Sequence, residues 1–134
     1  MREFKFRVWD KKHGRMMSGC CNLVLMLDGH LNWDFGGELK WISGLEESYE
    51  LMQYTGLKDK QGREIYEGDI VHYEYDGYGT DNWQVAWGYD GWIMQRGDRQ
   101  TGDRNVSDDT HFNNWEETEV IGNIYEHLEL MPYA

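Results

Sequence analysis

The groups in this chain able to do chemistry are its many carboxylates, five histidines, two cysteines and seven tryptophans. His13 with Cys20 and Cys21 makes one conceivable metal set, and Asp108, Asp109 and His111 another. Neither shows the paired Cys or His spacing that surrounds a tetrahedral zinc. The run from Asp98 to Asp109 lacks the regular ligand spacing and central Gly of a calcium loop. No metal and no other cofactor is therefore expected. Nucleophilic catalysis needs a nucleophile, a base and an orienting group, and Ser18, Ser43, Ser48 and Ser107 stand in no elbow-type motif. Asp76-Gly77-Tyr78-Gly79 has no Lys-Ser/Thr after it and opens no helix, which excludes a phosphate loop. Adjacent carboxylates such as Glu46-Glu47, Asp108-Asp109 and Glu116-Glu117 are common by chance in so acidic a chain. No catalytic residue emerges, and a protein that is not an enzyme is the expectation.

Binding chemistry is left, and two groups of residues offer it. Trp83 and Trp87 share a face if their strand is regular, with Trp92 across the Asp90-Gly91 turn. Three indoles on one hairpin are core by default in a small β domain. Exposed, they form a platform for a peptide, a base or a partner chain. The second group is acidic: Asp98, Asp103, Asp108 and Asp109 lie in the polar stretch from Arg96 to Thr110. A loop of about fifteen residues without structure of its own is uncommon and often functional.

Charge sharpens the choice of partner. The net charge is −12, unevenly spread. Residues 1–67 hold ten Lys/Arg against eleven Asp/Glu, net −1, whereas residues 68–134 hold three Arg against fourteen Asp/Glu, net −11. The first fifteen residues carry six basic groups (Arg2, Lys5, Arg7, Lys11, Lys12 and Arg15) against Glu3 and Asp10. An acidic half of this size repels nucleic acid at long range and attracts basic partners, a neighbouring copy's N-terminal segment included.

The elements that must position these residues are mostly strands. Phe4, Phe6 and Val8 alternate with Lys5, Arg7 and Trp9, the period of a half-buried strand. Asp10 to Gly14 reads as a hairpin turn, with a short return strand over residues 15–17. The apolar run Leu23 to Leu27, Asp28-Gly29, and then Leu31, Trp33 and Phe35 predict a second hairpin. Leu39, Ile42 and Leu45 fall at helical spacing within residues 38–52, where a short helix weakened by Ser43-Gly44 is expected. Strand patterns return at Leu51 to Thr55, ended by Gly56, at Ile70 to Tyr75, at Trp83 to Trp87, at Trp92 to Gln95 and at Glu119 to Tyr125. The segment from residue 127 onward is expected to be ordered only in part. The length, 134 residues, suits one domain or two small lobes sharing a core. Three strands joined by short turns are the sequence of a small β-barrel meander.

No stretch approaches the roughly 20 apolar residues that span a bilayer, and Met1 to Arg7 has no apolar core of a secretory kind. Adjacent Cys20 and Cys21 bridge each other only with strain, and two reduced thiols suit a reducing, intracellular compartment.

The long central run, from Leu51-Met52-Gln53-Tyr54-Thr55-Gly56-Leu57-Lys58-Asp59 through Lys60-Gln61-Gly62-Arg63-Glu64-Ile65-Tyr66-Glu67-Gly68-Asp69-Ile70-Val71, closely resembles the hallmark of the YopX family of phage and prophage proteins. Phe6-Arg7-Val8-Trp9-Asp10, Met16-Met17 and Val120-Ile121-Gly122-Asn123-Ile124-Tyr125-Glu126 fit too. The resemblance implies a mainly β protein with minor α content. Residues 1–53 would form a mixed β/α part and residues 54–134 an SH3-like β-barrel, the two sharing one core. It implies a phage-encoded protein of the bacterial cytoplasm that self-associates into a homo-oligomer. It brings no established activity and no catalytic residue. On physical grounds the run reads as a structural brace. Asp59 to Gly62 makes a turn, Gly68-Asp69 bends the chain before a buried strand, and Tyr54, Ile65 and Tyr66 pin the hairpin to the core.

Three functions follow in order of expectation. The first is a non-enzymatic accessory protein that binds itself or a basic host or phage protein. The second is an acidic DNA mimic presenting Asp76, Asp81, Asp98, Asp103, Asp108 and Asp109 as a negative stripe. The third is a small nucleic-acid-binding barrel stacking bases on Trp83, Trp87 and Trp92, against which the charge argues.

Overall fold

The computed structural model describes residues 3–18, 23–28, 30–35, 38–40, 45–75, 79–88, 91–95 and 115–131. Among these the protein is mainly β, with a curled half-barrel sheet and no helix of seven residues or more. Backbone proximity divides the chain into two units, Lys5–Met52, and Gln53–Ala134 together with Met1–Phe4.

In the first unit, β1 (Phe6–Asp10) and β2 (Arg15–Ser18) form the antiparallel hairpin that the alternation announced. Val8 is buried, but Phe6 is partly exposed and Phe4 is 65% exposed, contrary to the expectation of one apolar face. The reason is register: β2 ends with Ser18 opposite Arg7, so Phe6 and Phe4 run past it. Asp10 closes the turn. Its buried carboxylate accepts the Lys12 and His13 backbone N–H groups at 3.1 Å and meets His13 Nδ1 at 2.8 Å. Burial works against its charge, yet the His13 and Lys12 bonds outweigh that and hold the carboxyl below its ordinary range.

β3 (Leu23–Leu25), β4 (Leu31–Phe35) and β5 (Glu38–Lys40) make a three-stranded antiparallel sheet. The second hairpin thus exists, but pairing stops at Leu25, and Leu27 lies exposed in the link. Within the described residues the expected helix is one turn, α1 (Leu45–Ser48). A helix so short gains too few hydrogen bonds to repay its nucleation, and the edge of β4 offers residues 38–40 a ladder instead.

β6 (Tyr49–Lys58) follows at once and runs from the first unit into the second. Gly56 does not end it: the strand continues to Lys58 with a register irregularity between Tyr54 and Lys58 opposite β7 (Glu64–Tyr66). The order of this sheet is β2-β1-β6-β7.

In the second unit, β8 (Asp69–Tyr75), β9 (Gly79–Trp87), β10 (Trp92–Gln95) and β11 (Glu119–Asn123) form an antiparallel sheet of order β10-β9-β8-β11. Ile65, Val71, Tyr73, Trp83, Val85, Met94 and Trp115 build its core, with Leu57, Trp92 and Val120 packed against them. After β11, residues 124–131 are stitched down. Asn123 Oδ1 accepts the Tyr125 and Glu126 N–H groups, and a 3-10 turn forms over Leu128–Leu130. Asn82 Nδ2 donates to Leu130 O at 2.8 Å, while Asn82 Oδ1 lies 3.0 Å from His72 Nδ1.

Candidate functional site

The central motif builds a brace around two carboxylates and a glycine. Asp59 follows β6, 4% exposed. Its Oδ1 accepts the N–H groups of Gln61 at 2.9 Å and Arg63 at 2.8 Å, which shapes the link to β7. Its Oδ2 accepts the Val120 N–H at 2.9 Å, and Lys60 N–H donates to Thr118 O at 2.9 Å. One side chain therefore fastens the β6–β7 hairpin to β11. Burial opposes its charge, but the bonds from Val120, Arg63 and Gln61, with the Arg63 guanidinium 3.5 Å away, together hold the carboxyl below its ordinary 3.8. Outside this core lies a solvated set: Lys60 Nζ stands 3.3 Å and Arg63 Nη2 3.5 Å from the Glu119 carboxylate.

Gly68 works from the other end of the motif. Its φ of +85° lies in the left-handed region, where a side chain is strained. The bend aims its N–H at Val85 O in β9 and its carbonyl at the Ile124 N–H beyond β11, both at 2.9 Å. Asp69, also buried, accepts the Tyr66 N–H at 2.7 Å. Thr55 Oγ1 donates to Ile65 O at 2.7 Å, and the Tyr54 and Tyr66 rings pack with centroids 5.4 Å apart. Ile65 is fully buried. The buried polar groups of Thr55, Asp59, Gly68 and Asp69 bond to backbone, so these residues hold structure.

The three tryptophans part company. Along β9, Trp83 is 6% exposed and Val85 fully buried, but Trp87 on the same side of the strand is 59% exposed. In register, Trp87 faces Trp92 and Val85 faces Met94. The core face of the sheet thus runs outward past Val85 and ends on Trp87. There the two indoles meet edge to face, centroids 4.8 Å apart and planes at 76°. This T-shaped arrangement is favoured by the ring quadrupoles. Trp92 is half-buried against the core cluster, which fixes the pair from beneath. Core and exposed surface were alternatives for the sequence; Trp83 is core and Trp87 is exposed.

Asp98, Asp103, Asp108 and Asp109 lie outside the described residues, as do Cys20, Cys21 and His111. Among the described residues no three of His, Cys, Asp and Glu come together as a metal site would require, and His13 is engaged with Asp10. No helix among them is long and apolar enough to cross a membrane. Sequence reasoning missed the reach of Asp59 to Val120 and the ring of His127 lying against Gly122. The sole sequence signal for the first was an Asp at the head of a turn.

The family model of the YopX protein matches residues 5–132. The chain belongs to the YopX family. Two solved structures are similar over their whole length. The crystal structure of protein EF1440 from Enterococcus faecalis is 25% identical, covers 98% of this chain and 99% of its own, and superposes with a TM-score of 0.62. Protein yopX from Bacillus subtilis is 22% identical with a TM-score of 0.60, again covering 98% and 99%. No curated protein matches the chain. The resemblance carried by the central run is thereby borne out; the YopX family is one of uncharacterised proteins, and a function has to be argued from the site.

Proposed function

We propose that this YopX protein is a non-enzymatic accessory module of phage and prophage, working in the bacterial cytoplasm by holding another protein chain, a further copy of itself included, against the Trp87–Trp92 face. The observation that carries this reading is Trp87: a large aromatic 59% exposed, held rigid by its contact with Trp92. Such rigid, half-supported aromatics are what binding hot spots are made of. In this reading residues 54–134 form an SH3-like barrel and residues 1–53 its mixed partner. The antiparallel run β8-β9-β10, with β11 returning to β8, supports it.

Light scattering at low and high salt tests the self-assembling part. A species larger than one chain that shrinks with salt, and also shrinks on Trp87→Ser, is the expected result. A monomer at every salt concentration refutes self-assembly, and an oligomer indifferent to Trp87→Ser moves the contact elsewhere.

A further inference from the structure

We propose that the Trp87–Trp92 face recognises a cationic side chain, Arg or Lys, carried by a basic segment of the partner protein. The inference rests on the reading of that face as a contact surface, and it names the chemistry of what the face holds. An edge-to-face pair leaves the π-face of one ring available, and an indole is the best of the natural rings for attracting a cation. At 59% exposure, Trp87 is open to solvent, while Trp92 and the core behind it hold the ring in place at no further ordering cost.

Charge selects the cation over a neutral apolar occupant. The molecule carries −12, and the half of the sequence from residue 68 onward, which contains both tryptophans, carries three Arg against fourteen acids. The 3-10 turn Trp115–Glu117 sets Trp115 into the same core cluster against which Trp92 packs, and displays Glu116 and Glu117 in solvent. A basic segment is thus drawn in by the overall field and held locally by the ring. A purely apolar or an acidic segment would gain from at most one of the two.

The test is a titration of the full chain with three peptides of one length and one spacing, bearing Arg, Gln or Glu at the same alternating positions. Indole N–H resonances report binding, with that of Trp87 assigned by its loss in the Trp87→Leu variant. Leu keeps an apolar surface there but has no π-face. The Arg peptide is expected to shift the Trp87 resonance, with affinity that falls as salt rises and drops about five-fold in Trp87→Leu. The other two peptides are expected to leave Trp87 unmoved. Thermal unfolding of the variant checks that it remains folded. Equal binding of the Arg peptide by parent and Trp87→Leu overturns the inference and leaves charge alone. Binding of the Gln peptide at Trp87 as tightly as the Arg peptide overturns the cationic occupant but keeps the face as a contact surface. No response of Trp87 to any peptide counts against both.

Discussion

Replacing Asp59 by Asn tests whether the central motif is a brace. The substitution keeps the size and one oxygen of the side chain but removes the charge. With its oxygen kept on Gln61 and Arg63 N–H, the Asn amide would point its own N–H groups at the Val120 N–H, donor against donor. The 2.9 Å bond to Val120 is lost, and the bonds to Gln61 and Arg63 fall from charge-assisted to neutral strength. A hydrogen bond to a charged group contributes about 1.5–3 kcal/mol and a neutral one about 1 kcal/mol. Gln61 and Arg63 are exposed, so water offsets part of their loss, whereas Val120 packs against the core. A destabilisation of about 2–3 kcal/mol follows, read in urea unfolding as a lower midpoint at unchanged slope. Acid provides the second reading. Because the folded carboxyl sits below its ordinary 3.8, its contribution is complete above that value and is lost as pH falls through the depressed one. The gap between parent and variant should therefore be full at neutral pH and narrow progressively as the pH drops below 3.8. A variant within about 0.5 kcal/mol of the parent at neutral pH, or a gap that does not change with acid, would refute the assignment of Asp59 as the tie between hairpin and β11.

Further outcomes are expected elsewhere. Gly68→Ala places a side chain at φ +85° and should cost about 1–2 kcal/mol by thermal or urea unfolding, whereas an unchanged midpoint would show the bend to be relaxed. Gly122→Ala would set its Cβ 2.7 Å from His127 Nδ1. The ring must move, and amide hydrogen exchange over residues 123–131 should accelerate while β8 and β9 stay protected. Trp87→Ser should leave stability within about 1 kcal/mol, the worth of one aromatic contact, and lower any self-association seen by light scattering.

The family, the β character and the strands were legible in the sequence because they rest on local patterns. Period-two alternation announced β1 and β9, a strand pattern announced β8, and the run from Leu51 to Val71 carried the family. The bend at Gly68 and the anchoring by Tyr54, Ile65 and Tyr66 could be read too, since glycine and buried rings act on their near neighbours. The helical spacing at Leu39, Ile42 and Leu45 misled because it competes with a strand edge that a linear pattern cannot see. Phe4 and Phe6 misled for a related reason: alternation tells which side a residue takes, not how far the partner strand extends. Only tertiary structure decided that Trp83 is core and Trp87 surface. The two differ by four positions on one strand and have the same local pattern. Burial depends on where the covering residues Met94 and Trp115 end, and those come from elsewhere in the chain. For the same reason the bond from Val120 to Asp59 spans 61 residues and has no signature in either stretch. What the sequence determined alone is the kind of protein and its brace; the exposed Trp87–Trp92 face exists because the core stops there.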